Sequence, residues 1–182
     1  MSVAVAISGM DLSLLFVEQW RLEGSLFYDS LLLLHRAQGE VELKCDADKF
    51  FDLWAHRIYH VAKICPDKIQ KTVLNEGNNN NYIEYVSVGE TGESSPIKSR
   101  VEEMDEKNRY TRYTNHEGLI MENYYKSFEA KMEVTKNGNG NGCIVEWSFE
   151  DEKKNKDAPD ANVYIHFMLA MAKAVDAHLC MA

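Results

Sequence analysis

The chain has 182 residues, 45% of them apolar, which suits one globular domain with a substantial buried core and is short for two. A net charge of -9 with only 20 Lys and Arg leaves no basic footprint for phosphate neutralisation, which sets nucleic acid aside as a partner. The cysteines Cys45, Cys65, Cys143 and Cys180 form no C-x-x-C pair and have no His at zinc-finger spacing, so they read as reduced, mostly buried thiols of an intracellular, cytoplasmic protein.

Residues 1–38 read as an atypical extension, either amphipathic and packed on the domain or poorly ordered. Two apolar patches occur there, interrupted by Asp11, Glu18, Glu23 and Asp29, with no basic n-region or small-residue cleavage site. No stretch of the chain reaches the roughly 18 uninterrupted apolar residues of a spanning helix, so no membrane span is expected. The regular pattern, and with it the predicted domain, runs from Gly39 to Ala182. In "EVELKC" the alternation puts Val41, Leu43 and Cys45 on one face, as in a half-buried strand. Asp46 stands at an N-cap position, and Phe50, Phe51, Trp54, Ile58 and Val61 follow at helical spacing. This segment predicts two short helices, broken near Ala55 and ended by Pro66.

A series of strands follows, "IQKTVL", "YIEYVSV", "IKSRVEEM" and "RYTRYTNHE", separated by turn-forming runs too short for helical crossovers, so antiparallel pairing is expected. After Gly118 come the longer strands "ENYYKSFEAKMEV" and "CIVEWSFEDE", with Phe128, Ala130, Met132 and Val134, and Val145, Trp147 and Phe149, facing inward. From Asp160 to Met181 the spacing predicts a helix about 33 Å long. Its apolar stripe of Val163, Phe167, Met171, Ala174 and His178 is widened by Ile165, Met168, Leu169, Val175 and Leu179. Such a helix needs a curved sheet around much of its circumference.

This order of elements, with "CDADKFFDLW", "CPDKIQ", "SRVEEMDEKN", "YYKSF", "EDEKKNKDAPDANVYIHF" and "DAHL", resembles the plant major latex proteins, a branch of the birch-pollen-allergen and pathogenesis-related-10 superfamily. The resemblance covers residues 39–182. It implies an α+β helix-grip fold: about seven antiparallel strands curved around the terminal helix, with two short helices after the first strand and a large apolar cavity between sheet and helix. It further implies defence or stress roles, lipophilic ligands such as hormones, sterols and flavonoids, and occasional enzymes of alkaloid biosynthesis. Two departures stand out. The family's glycine-rich loop reads "NEGNNNNYIEY" here, replacing converging backbone amides by Asn side chains, and an extension precedes the first strand, so that strand is expected to take residues from "DSLLLLHR" or to be truncated.

An apolar cavity needs walls and a few polar groups to fix orientation. Trp54, Tyr85, Tyr113, Phe128, Met132, Trp147, Phe149, Phe167 and Met171 are the wall candidates. Lys126 shares strand parity with Phe128, which would point it at the cavity mouth as a base or a Schiff-base amine, against the simpler case of a stem snorkelling to solvent. His178 falls on the apolar stripe as a candidate proton shuttle, against a satisfied core histidine. His56 and His60 are four apart but lack further ligands, and His116 with Glu117 fits a turn as well as a proton-transfer pair. The acidic runs "VEEMDEK" and "FEDEK" read as solvated edges. No nucleophile elbow, P-loop, dinucleotide fingerprint, zincin or EF-hand motif occurs in the chain. The expected function is that of a monomeric carrier of small lipophilic metabolites, without metal or cofactor. The alternatives are an isomerase or cyclase of alkaloid-like substrates using Lys126, His178 or a cavity Tyr, and a ligand-dependent receptor.

Overall fold

The computed structural model describes residues 34–77, 80–88, 94–138 and 141–181. The expectations for residues 1–33 of the extension lie outside the described residues. Strand β1 (Leu34–Leu43) starts five residues before Gly39, taking Leu34, His35 and Arg36 from the apolar run "DSLLLLHR". As its alternation predicts, Leu43 and the following Cys45 are buried and Val41 half-buried. Asp46 then caps α1 (Ala47–His56), its carboxylate accepting the backbone N–H groups of Asp48 (3.0 Å) and Lys49 (3.1 Å). The helical run breaks at Arg57, two residues past the expected position, into a 3-10 turn (Ile58–His60) and α2 (Val61–Ile64).

Strands β2 (Ile69–Gly77), β3 (Asn80–Val88), β4 (Ser94–Asp105) and β5 (Tyr110–Gly118) follow as an antiparallel meander. Pairing of β2 with β3 reaches Gly77 opposite Asn80, so the strands extend into the Asn-rich segment that sequence alone assigns to a loop. A short helix, α3 (Leu119–Asn123), precedes β6 (Tyr125–Lys136) where strand was expected from Glu122. Its five residues are too few to show helical periodicity, and Gly118, at φ +124° with its backbone against the Pro96 carbonyl, turns the chain into it. Lys154 fastens this helix by donating to the Met121 and Glu122 carbonyls (2.7 and 2.8 Å). Strand β7 (Cys143–Lys153) and the long helix α4 (Ala161–Met181) complete the chain.

The sheet has seven strands in the order β1-β7-β6-β5-β4-β3-β2, every neighbouring pair antiparallel. It curves around α4 in the helix-grip arrangement that the resemblance implies. By length and apolarity α4 would suit a bilayer, but in this fold it is the core helix. It approaches β1 closely because Gly39 has no side chain. A Cβ there would stand 2.5 Å from Ile165 Cγ2 and 3.1 Å from Leu169 Cδ1.

Inward residues of β6 and β7 follow the expected parity. Phe128, Ala130, Met132, Val134, Val145, Trp147 and Phe149 are all buried. They meet Phe50, Trp54 and Val61 from the short helices and Ile165, Met171, Ala172 and Val175 from α4 in one core.

Candidate functional site

Between the inner face of strands β2–β7 and the first half of α4 lies a cavity of about 600 Å³. Eight of the nine wall residues expected from sequence line it: Trp54, Tyr85, Tyr113, Phe128, Trp147, Phe149, Phe167 and Met171. Met132 does not. It points inward as expected and is fully buried, but among the described residues it packs in the solid core opposite Trp147 in the β6–β7 ladder. Strand parity gives the face of the sheet and not the depth along it.

The aromatic wall is continuous. Trp54 meets Trp147 edge-on (centroids 5.5 Å apart), Tyr113 and Phe149 stack on Trp147 (6.4 and 6.3 Å), and Phe128 touches Phe149 (5.1 Å). Tyr164 of α4 closes this wall against Phe128 at 5.2 Å. It went unread in the sequence because it lies off the stripe chosen for the helix.

The opposite wall carries neutral polar groups. Thr72 pairs with Tyr85 across β2–β3, and Ile83, Ser99 and Asn115 align across β3, β4 and β5. The buried Ser99 hydroxyl donates to Asn115 Oδ1, while Thr72 Oγ1, the Tyr113 hydroxyl and Trp147 Nε1 are buried without a partner among the described residues. Buried groups of this kind usually find a partner in protein, water or ligand. Burial pushes the Tyr85 and Tyr113 phenols up to about 12, so both remain protonated donors at neutral pH. Sequence reasoning missed Thr72, Ser99 and Asn115. Their trace was small polar residues at inward positions between apolar ones, as in Ile97-Lys98-Ser99 and Tyr113-Thr114-Asn115.

The lining also holds Asp67, Lys68 and the exposed His166, and Lys68 is paired with Asp67 at 2.6 Å. Val163 also lines the cavity while 53% exposed, which puts the mouth at the first turns of α4.

Neither proton-shuttle candidate reaches this space. Lys126 is exposed and paired with Glu152 at 2.6 Å. A β-bulge between Tyr125 and Ser127 inserts Lys126 as an extra residue, so Tyr125 and Phe128 both face inward and the parity argument fails at that position. His178 is exposed, because the cavity lining on α4 ends at Met171 and the buried stripe of the last turns runs through Ala172 and Val175 instead.

His56, His60 and His116 have local partners. His56 lies 3.5 Å from Glu106, His60 packs on Tyr59 at 4.5 Å, and His116 lies 3.6 Å from Glu102. Glu117 pairs with Lys98 at 3.3 Å, so His116 and Glu117 do not act as a pair.

Comparison with known proteins agrees with this geometry. The pathogenesis-related protein Bet v 1 family matches residues 34–182. MLP-like protein 34 of Arabidopsis thaliana is 33% identical over 147 residues, covering 78% of this chain and 45% of that protein, so the chain spans about half the length of that relative. The crystal structure of ginseng major latex-like protein 151 from Panax ginseng superposes with a TM-score of 0.73 at 26% identity, covering 80% of this chain and 97% of that one. Norcoclaurine synthase from Thalictrum flavum, at 15% identity and a TM-score of 0.61, shares the fold, covering 78% of this chain and 93% of that one. A grip of seven strands on a terminal helix, an aromatic cavity between them, and these matches together show that the chain belongs to the Bet v 1 family, in its plant major latex protein branch.

Proposed function

We propose that this protein is a carrier that sequesters small, uncharged lipophilic plant metabolites in the cavity, in the service of defence or stress responses. The observation that carries this reading is the two-sided lining, with a continuous aromatic wall facing a belt of hydroxyl and amide groups. Burial of a guest's apolar surface at about 25 cal/mol per Å² supplies affinity. Thr72, Ser99, Asn115 and the two phenols supply orientation, and a hydroxylated edge on the guest gives the unpartnered groups their partners. A neutral guest fits best because Lys68 is already neutralised by Asp67. Sterols and hydroxylated flavonoids have the required shape: a flat apolar body with hydroxyls at the margin.

The carrier reading is preferred to an isomerase or cyclase because the cavity phenols are donors at neutral pH rather than bases, and because Lys126 and His178 stand outside. The test is titration with a neutral sterol and a hydroxylated flavonoid, followed by the fluorescence of Trp54 and Trp147 and by native mass spectrometry. A one-to-one complex with quenched tryptophan emission is expected. Filling the space with Ala130→Trp should weaken binding at least about tenfold while the fold is kept. Unchanged affinity in that variant, or turnover of the bound molecule, would remove the carrier reading.

A further inference from the structure

On the polar wall of the cavity, one hydroxyl and one amide stand together in an apolar frame. Ser99 of β4 and Asn115 of β5 are each more than nine-tenths buried, with Ile83, Ile97 and Tyr113 as their inner-face neighbours on β3, β4 and β5. The Ser99 hydroxyl donates to Asn115 Oδ1, which fixes the way the amide faces. Asn115 Nδ2 donates to nothing among the described residues, yet it is not sealed off from the cavity as Thr72 Oγ1 and the Tyr113 hydroxyl are. Its N–H bonds are therefore open to a guest.

A local irregularity of the sheet puts the amide there. Lys98 pairs with Glu117 but Ser99 with Asn115, so His116 is an extra residue, a β-bulge in β5. Without that insertion His116 would face Ser99; with it, His116 is left exposed beside Glu102 and the amide takes the inner position. Tyr85 of β3 supplies a second donor. Ile83 pairs with Ser99 and Tyr85 with Ile97, which makes Tyr85 the diagonal neighbour of Ser99 on the cavity side, within reach of an aromatic side chain. Its phenol stays protonated at neutral pH.

Two donors flanking Ser99 suit an oxygen with two lone pairs and no proton of its own, which is a carbonyl. A hydroxyl brings a proton that needs an acceptor. A methylene leaves both donors unsatisfied inside an apolar wall, where that loss is largest. We propose that Asn115, positioned by Ser99, is the specificity-determining residue of the cavity, donating from Nδ2 to a ketone carbonyl of the guest beside the Tyr85 hydroxyl. This inference rests on the carrier reading and narrows it: among flat, neutral, hydroxylated guests, those with a carbonyl are selected over the same skeleton without one.

The test compares a flavanone hydroxylated only on its pendant phenyl ring with the matching flavan, which has a methylene in place of the carbonyl. Both are titrated into the full chain by calorimetry. The flavanone is expected to bind at least about tenfold more tightly, the effect of one hydrogen bond to an otherwise unsatisfied buried donor. Asn115→Leu should remove that difference without lowering the affinity for the flavan. Ser99→Ala, which frees the amide to turn, should shrink the ratio of the two affinities, and Ser99→Thr should restore it. A purely structural loss would weaken both ligands alike and leave the ratio unchanged. Infrared spectra of carbonyl-labelled flavanone give an independent reading on the unmutated chain, with the stretch expected at lower frequency in the complex than in a dry hydrocarbon solvent. Equal affinities for the two compounds, a stretch at the hydrocarbon frequency, or a ratio retained in Asn115→Leu would overturn the inference while the carrier reading stands. If neither compound binds but the sterol of the carrier test does, the inference falls alone; if none of the three binds, both fall.

Discussion

Two halves of the same sheet treat α4 differently. Strands β1, β7 and β6 meet α1 and the second half of the helix in solid packing, with Phe50, Met132, Val134, Val145 and Val175 all fully buried. Strands β2–β5 face the first half of the helix across the cavity, and their inward positions alternate Ile and Tyr with Thr, Ser and Asn. Strands β6 and β7 serve both, with Met132, Val134 and Val145 in the solid packing and Phe128, Trp147 and Phe149 on the cavity wall. The contrast teaches that stability and binding are divided along the sheet rather than strand by strand. A solid side holds the helix close, down to the bare backbone of Gly39 under Ile165, and so lets the other side remain hollow without collapsing.

Substitutions on the two sides should therefore differ in cost. Phe50→Ala, in the solid half, is expected to lose about 3–5 kcal/mol in chemical denaturation, since its cavity would have walls that cannot relax. Gly39→Val should cost about 1–3 kcal/mol by driving α4 off β1, read as a lower denaturation midpoint. Ile97→Ala, on the hollow side, should cost only about 1 kcal/mol, because that side chain already lacks partners on one flank. A loss as large as that of Phe50→Ala would erase the distinction between the halves.

Asp151 sharpens the comparison from the other direction. Its carboxylate lies on the inner face of β7 beyond Phe149, is 2% exposed, and has no hydrogen-bond partner among the described residues. Burial raises its pKa, with Asp160 adding to the rise and His35 and Lys153 opposing it. The folded state thus holds this proton more tightly than the unfolded chain does. The contribution favours folding below the unfolded value near 4 and is lost as pH rises through the folded value. Asp151→Asn should accordingly gain on the order of 1 kcal/mol at pH 7 and flatten the stability profile above pH 4. An unchanged profile would show that the group is ionised and satisfied in the fold.

Much of this was legible in the sequence. Alternation in "CIVEWSFEDE" named the inward residues of β7, Asp46 marked the start of α1, and the breadth of the apolar stripe on α4 required a curved sheet. What escaped had local physical causes. Parity carried Lys126 inward because a single bulge residue leaves no mark in an alternating pattern. Helical spacing carried His178 into the core because it fixes a stripe but not where along it the sheet stops. Met132 was correctly turned inward and wrongly given a cavity to face. The polar belt was hidden since Ser99 and Asn115 acquire meaning only when β4 and β5 pair them across the ladder.

The most direct test of a hollow half beside a solid one is diffraction from crystals under xenon pressure, because xenon occupies apolar voids whatever the natural guest. Xenon is expected among Ile97, Tyr113, Trp147, Phe149 and Phe167, with none among Met132, Val134, Val145 and Val175. Electron density showing the first group closed and empty of xenon, or xenon lodged in the second, would contradict the account.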